Sequence, residues 1–599
     1  MPATNTSLDL GQNLLFRNPL TGENAIWLMN GTTLEVGRFT TAVPDSNWKL
    51  AGAGDFNQDG SSDLVWRNEV TGENAIWLMS EASLSSGVFI TPVADLNWHI
   101  VGVGDFNQDG NSDLVWRNGS TGENAIWLMN DTSLSSGMYT TPIADQNWQI
   151  VGTGDFNNDR NSDLVWRNQT TGENAIWLMN GTSLISGVII DEVVDPIWQI
   201  QATGDFNQDG NSDLVWRNQA TGENAIWLMH STSLANAVLT TPVPDQNWQI
   251  VGSGTFSLFA PAVNDPAGSF PYGLSAIDLN GDGKLDVAVT NRSTDTVSVL
   301  LGNGNGTFQP VVNYAVGRVP SGISTSDFNG DGKPDLAVTN IISNNVSVLL
   351  GNGDGTFQAA INHATGANFA GINTSDFNGD GKPDLAVTAS SNRVSVSLGK
   401  GDGTFQPAVN YAVGSVPFGV TSSDLNGDGK LDLVVANNGT TANTVSVLLG
   451  KGDGTFQTAV DYVAGSSPGE LSVNDFNNDG TLDLAVTNPG AQTVSVLLGN
   501  GNGTFQTAVS YAVGSLPFDI SAGDLNGDGK LDLAVTNASS GTVSVLLGNG
   551  DGTFQTALNY TVGKDPLGLG VGDFNGDGQL DLVVANNGSN TISVLLNQA

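Results

Sequence analysis

The stretch Asp327-Phe328-Asn329-Gly330-Asp331-Gly332-Lys333-Pro334-Asp335-Leu336-Ala337-Val338-Thr339-Asn340 decides how this chain folds. Its first nine residues crowd carboxylates and amides into a turn, with Gly332 giving the backbone the permissive conformation so tight a turn demands. Its end is a short apolar run, Leu336–Thr339, of the length and composition of a strand. Outward from this core lie Gly322–Ser326 before it and Val346–Leu350 and Ala359–His363 after it. These four runs alternate or are continuously apolar, and Gly, Asn and Asp punctuate them. No sustained helical period interrupts them, so the unit reads as four strands.

The unit repeats. Asp-x-Asn-x-Asp-Gly-x-x-Asp begins at 278, 327, 376, 424, 475, 524 and 573. A related form precedes it: Asp55-Phe56-Asn57-Gln58-Asp59-Gly60 recurs at Asp105, Asp155 and Asp205, a period of 50. Glu73-Asn74-Ala75-Ile76-Trp77 recurs at Glu23, Glu123, Glu173 and Glu223, and Trp48, Trp98, Trp148, Trp198 and Trp248 form a third series. All 14 Trp lie before residue 249, so two families of one unit stand in tandem.

Many four-stranded repeats without helices predict a propeller, and about twelve in one ring would exceed the usual 4–8 blades. Ring closure divides them. The last repeat lacks a fourth strand, and Phe259-Ala260-Pro261-Ala262-Val263-Asn264 matches the missing piece as it stands at Phe405–Asn410. The first repeat starts at a second strand, Leu14–Asn18, and a surplus inner strand, Trp248–Gly252, appears at the other end. Each supplement removes an exposed sheet edge. The predicted fold is all-β: two tandem β-propellers of four-stranded antiparallel blades, five-bladed over residues 1–256 and seven-bladed over 257–599.

The formal net charge of −41 excludes an electrostatic nucleic-acid binder and suits a chain that neutralises itself with cations. With no Cys, neither disulfides nor thiolate metal sites are possible. Met1–Asn5 shows no basic n-region and no apolar h-region, and no apolar run is long enough to span a bilayer. No membrane insertion is expected.

The loop is the strongest chemical signal. Ca²⁺ takes six to eight oxygens from carboxylates, amides, backbone carbonyls and water. Two carboxylates ~5 Å apart repel by about 3 kcal/mol at an effective dielectric of 20, so three in nine residues ask for a cation. In the first region the expected side-chain ligands are Asp55, Asn57, Asp59 and Asp63; Asp105, Asn107, Asp109 and Asp113; Asp155, Asn157, Asp159 and Asp163; and Asp205, Asn207, Asp209 and Asp213. In the second they are Asp278, Asn280, Asp282 and Asp286; Asp327, Asn329, Asp331 and Asp335; Asp376, Asn378, Asp380 and Asp384; and Asp424, Asn426, Asp428 and Asp432. Asp475, Asn477, Asp479 and Asp483; Asp524, Asn526, Asp528 and Asp532; and Asp573, Asn575, Asp577 and Asp581 complete about eleven sites. The carbonyl of the seventh residue, Lys333 in the quoted loop, joins them. Arg160 replaces the loop glycine once, and a twelfth position has decayed, with Thr255-Phe256 at one end and Asn13 at the other. An EF-hand would place a bidentate Glu at position 12; here Val338 or Trp66 stands there, so each site should be weak, in the range of extracellular modules.

On these loops and repeats the chain resembles FG-GAP/VCBS repeat proteins, the blades of integrin α-subunit propellers and many bacterial surface proteins. The resemblance covers essentially the whole chain. It implies calcium loops between the first and second strands of each blade and an extracellular or cell-surface setting, with a glycan or a cell-surface protein as partner.

Opposite the loops, Arg67, Asn68, Glu73 and Asn74 should meet Asn97 and Trp98 from the next connection. An aromatic platform with amide, carboxylate and guanidinium groups suits sugars, and five copies would give avidity. The same residues could equally pair across a hairpin and pack between blades. Both readings stay open. The expected function is calcium-stabilised multivalent binding, lectin-like or adhesive, with an integrin-like protein-interaction scaffold as the alternative. An enzyme is not expected, because His99, His230 and His363 are isolated and the calcium loops account for the paired carboxylates. A polysaccharide-active enzyme is the remotest option.

Overall fold

The computed structural model describes residues 12–597 apart from 81–82, 208, 257, 365–368, 390 and 440–442. Among the described residues every regular element is a strand. The chain divides into two compact units, one through Ala260 and one from Pro261 to Asn597.

In the first unit a representative sheet runs Trp48–Gly54, Asp63–Asn68, Asn74–Ser80, Ser83–Ile90, antiparallel in that order. The second strand is buried along its whole length, which is why DLVWRN carries no exposed polar alternation. The outermost strand is mostly exposed. One row crosses the sheet through Leu50, Trp66, Ala75 and Phe89. In the second unit the equivalent sheet is Pro320–Ser326, Asp335–Asn340, Asn345–Leu349, Ile361–Ala364, again buried throughout its second strand.

Such four-stranded antiparallel sheets number five in the first unit and seven in the second, among the described residues. They are blades of β-propeller type. Two are assembled from distant segments. Gln249–Thr255 pairs with Gln12–Arg17, placing Ile250 opposite Phe16. Val263–Pro266 pairs with Thr591–Leu595, placing Val263 opposite Val594.

Neighbouring blades are joined differently in the two units. In the first, a guanidinium from one blade lies over an indole of the next: Arg17 over Trp66 at 4.9 Å, Arg67 over Trp116 at 5.1 Å, Arg117 over Trp166 at 5.0 Å and Arg167 over Trp216 at 5.1 Å. In the second, a threonine hydroxyl reaches a carbonyl of the next blade: Thr290 to Ser321 (2.8 Å), Thr388 to Phe418 (2.8 Å), Thr487 to Phe518 (3.0 Å) and Thr536 to Leu567 (2.6 Å). Apolar clusters fill the space between, as where Ala288, Val297 and Val299 meet Leu336, Val338 and Leu349.

Arg117 is 2% exposed and donates to the carbonyls of Gly122 and Ile143 and to Asn124 Oδ1. Arg117→Ala strands three acceptors and uncovers an indole, so the first unit should lose about 3 kcal/mol or more. Arg117→Lys should recover little, because an ammonium cannot reproduce the fork. All tryptophans lie before residue 249, so urea unfolding followed by indole fluorescence reports on this unit alone. A loss below about 1 kcal/mol would contradict the role given to Arg117.

Candidate functional site

Each loop joins the first strand of a blade to the second and is built from its own hydrogen bonds. Asp327 Oδ1 accepts from the Gly330 and Asp331 N–H groups (2.7 and 3.1 Å), and its Oδ2 from Gly332 (2.7 Å). Asn329 Oδ1 accepts from Asp331 N–H (2.9 Å), and Asp331 Oδ1 from Lys333 N–H (3.1 Å). Gly332 sits at φ +80°, the left-handed region that favours glycine. Arg160, at the equivalent place, takes φ +69° and keeps the same bond, from its N–H to Asp155 Oδ2 at 2.7 Å. That loop therefore keeps its shape at a cost of about 1–2 kcal/mol.

The ninth residue does more than the sequence suggests. Asp335 is fully buried, with Oδ2 accepting from Phe328 N–H (2.9 Å) and Oδ1 from Gly351 N–H (2.7 Å). In the first unit Asp113 does the same with Phe106 and Met129 (2.9 and 2.8 Å). Each such aspartate pins the loop to the far end of the third strand. Burial, reinforced by the two loop carboxylates, pushes Asp63, Asp163 and Asp213 up to about 7, against the pull of their N–H partners. The decayed twelfth position keeps this duty. Asn13 accepts from Met29 N–H and donates to the Phe256 carbonyl, both at 2.7 Å.

No three His, Cys, Asp or Glu side chains converge on a metal-sized point among the described residues. The donor set itself is all oxygen and fits calcium chemistry. Positions 1, 3, 5 and 9 and the seventh carbonyl are the residues that would hold the ion, and what it would supply is charge neutralisation.

The polar set on the opposite side is largely used inside the blade. Arg67 is 1% exposed and donates to Asn74 Oδ1 (2.9 Å) and the Val93 carbonyl (3.1 Å). Asn74 is buried and donates to the Thr91 carbonyl (2.8 Å). Asn68 caps its turn, accepting from Val70 and Thr71 N–H groups (2.9 and 3.0 Å). Arg67 thus meets Asn74 rather than Glu73, whose carboxylate accepts from the Thr71 hydroxyl (2.8 Å). Glu73 and Asn97 are exposed, and Trp98 is half-buried.

Trp98 borders a groove of about 230 Å³ over Ala125 and Gly137, walled by Trp116, Trp127, Met138 and Tyr139. Trp98 and Tyr139 stand 6.0 Å apart, as do Trp48 and Phe89, and Trp248 and Phe39 lie at 5.9 Å. The Trp116 indole N–H finds no acceptor among the described residues.

A second constellation escaped the sequence reading. In the second unit Glu470 and Asp519 replace the glycine that the other blades carry as Gly273, Gly322, Gly371, Gly419 and Gly568. Near them Arg292 lies 3.2 Å over the Tyr272 ring and donates to Ser321 Oγ (3.0 Å). Tyr272 and Phe418 both meet Phe518 edge-on, at 5.3 and 5.6 Å. Asp519 accepts from Leu569 N–H (2.9 Å). Burial holds both carboxyls above the ordinary carboxylate range, and Asp519 pushes Glu470 further. The signal lay in the departures from the repeat, which a search for the repeat discards.

The FG-GAP-like repeat matches residues 55–116, 105–166, 205–289, 278–338, 327–387, 376–435, 424–474, 475–535 and 524–584. No curated protein matches the chain. Among solved structures it is similar to BBS1N in complex with ARL6DN, with 15% identity and a TM-score of 0.42 over 57% of this chain and 97% of that one. It is also similar to Kuenenia stuttgartiensis hydrazine synthase, with 17% identity and a TM-score of 0.41 over 56% and 97%. A third is virginiamycin B lyase from Staphylococcus aureus, with 15% identity and a TM-score of 0.40 over 56% and 98%.

Asp113→Ala leaves two buried N–H groups without acceptors, each worth about 1–3 kcal/mol. Asp113→Asn keeps one and should cost about half as much; equal losses in urea unfolding would contradict the pin. For Glu470 and Asp519 the sign is set by protons held in the folded state and released on unfolding. Stability is complete below the ordinary carboxylate range and falls as pH rises toward and past neutrality. Glu470→Gln should flatten this decline in thermal melts at fixed calcium, and an unchanged slope would count against the coupling.

Proposed function

The chain belongs to the FG-GAP-like repeat family, and from that premise we propose that it is a calcium-stabilised scaffold for multivalent binding, a five-bladed propeller followed by a seven-bladed one. The sheet count in each unit and the two sheets assembled from distant segments support that division. The aromatic groove beside Trp98, and the recurrence of its Trp–aromatic pair in three blades of the first unit, carry the functional reading. Equivalent shallow sites on one rigid body convert weak contacts into avidity.

The partner that fits the groove is a protein. Its lining is chiefly aromatic and apolar, the character of the core of a protein–protein contact. Arg67, Asn68 and Asn74, which a sugar would need, are engaged within the blade. Glu73, Asn97 and Trp98 still face outward, and they keep a glycan as the second reading. Calcium serves structure: loops lacking a bidentate Glu suit millimolar calcium, which favours a setting outside the cell or on its surface. It is a binding protein with no catalytic step assigned to it.

Calcium at ten times each site's Kd would add about 1.4 kcal/mol per site. Chelation should therefore lower the melting temperature markedly, and an unchanged value refutes structural calcium. Calcium-loaded protein should retain ligands from a peptide array, with binding falling stepwise as Trp48, Trp98 and Trp248 are changed to Ala. Retention on a glycan array instead would move the assignment to the second reading, and silence on both arrays would remove the groove as the binding site.

A further inference from the structure

Six loops of the second unit place glycine directly after the loop asparagine: Asn280-Gly281, Asn329-Gly330, Asn378-Gly379, Asn426-Gly427, Asn526-Gly527 and Asn575-Gly576. The first unit has Gln58, Gln108, Asn158 and Gln208 at the same step, and the remaining loop of the second has Asn478. We propose that these six pairs are spontaneous deamidation sites, and that Asn426 and Asn526 react first.

The reaction needs an exposed, yielding nitrogen beside an activated side-chain amide. All six glycines are exposed and hold φ between +70° and +80°. A Cβ placed on Gly281, Gly330, Gly379 or Gly427 would meet nothing within 4 Å, so little resists movement of the backbone there. The electrophile is prepared in every case. Each asparagine Oδ1 accepts from the N–H two residues on, at 2.8–3.0 Å, which draws electron density from Cγ and steadies the oxyanion formed on attack.

What differs is the nucleophile. The N–H groups of Gly281, Gly330, Gly379 and Gly576 are tied to the first aspartate of their loops at 2.7, 2.7, 2.8 and 2.6 Å. No such bond holds Gly427 or Gly527 among the described residues. A nitrogen held by a short bond must break it before its lone pair can turn toward Cγ, so the four tied pairs lag.

The glycine nitrogen bonds to asparagine Cγ, the Cγ–NH₂ bond breaks, and ammonia departs with the hydrogen that left the nitrogen. Water then opens the succinimide at either carbonyl, giving aspartate or isoaspartate. The net change is asparagine plus water to a carboxylic acid plus ammonia, with no redox step. Aspartate adds a fourth carboxylate to the loop and deepens its need for a cation. Isoaspartate lengthens the main chain by one carbon and takes the loop out of register.

The test is peptide mapping by mass spectrometry of the intact protein aged in chelator at mildly alkaline pH. Asn426 and Asn526 should show the mass gain first, the other four later, and Asn57, Asn107, Asn157, Asn207 and Asn477 last of all. Gly427→Gln, which copies the first-unit loop, should abolish the signal at Asn426 and leave the other five as internal controls. First-unit loops reacting as fast as the six would overturn the proposal, and so would all six pairs reacting at one rate. The readout is covalent, so it stands apart from the binding assays above.

Discussion

A carboxylate shut away from water, accepting two backbone N–H groups, is the interaction on which the blades depend. An aspartate in that position cannot be left without donors, because desolvating a charge is far more costly than desolvating an amide. Asp335 therefore fixes two segments at once: the start of its own loop at Phe328 and the chain beyond the third strand at Gly351. One side chain thus ties together the ends of the inner three strands. That Asn13 preserves both contacts with opposite polarity at one of them argues that the geometry is retained even where the carboxylate is not.

With each blade made rigid in this way, the two units are free to solve the contact between blades by separate means. The first uses bulk: Arg over Trp, with the guanidinium's remaining donors spent on carbonyls. The second uses small residues, and a threonine hydroxyl crosses to the neighbouring backbone. The bulky solution leaves an aromatic groove beside the small residues Ala125 and Gly137. The lean solution leaves glycines facing carbonyls so closely that a Cβ on Gly371 would lie 2.3 Å from the Phe418 oxygen. At Glu470 and Asp519 that close fit is given up and acidic side chains enter. Surface character thus follows from how neighbouring sheets are held.

Strands and loops were legible because their signals are local. Alternation, turn residues and a fixed repeat length all lie within one unit, and so does the oxygen-rich loop. The partial strands flanking each family were readable for the same reason, as copies out of place. The place of Arg67 was not, because it depends on the Val93 carbonyl and on Trp116 in the next sheet. The double duty of Asp63 rests on Met79, 16 residues on, in a strand whose pairing the pattern does not reveal. Glu470 and Asp519 carry no local signal of their own, because what sets them apart is their neighbours across the blades.

The sheets assembled from distant segments impose an order on synthesis. Asn13 meets Phe256 across 243 residues, and Asn264 meets Ser593 across 329. At roughly 5–20 residues per second, the strand that leaves the ribosome first waits roughly 10–50 s for its partner, and the second such strand waits longer. Throughout that interval an apolar edge stands open to other nascent chains. Elongation speed therefore sets how long each closing edge stands unpaired.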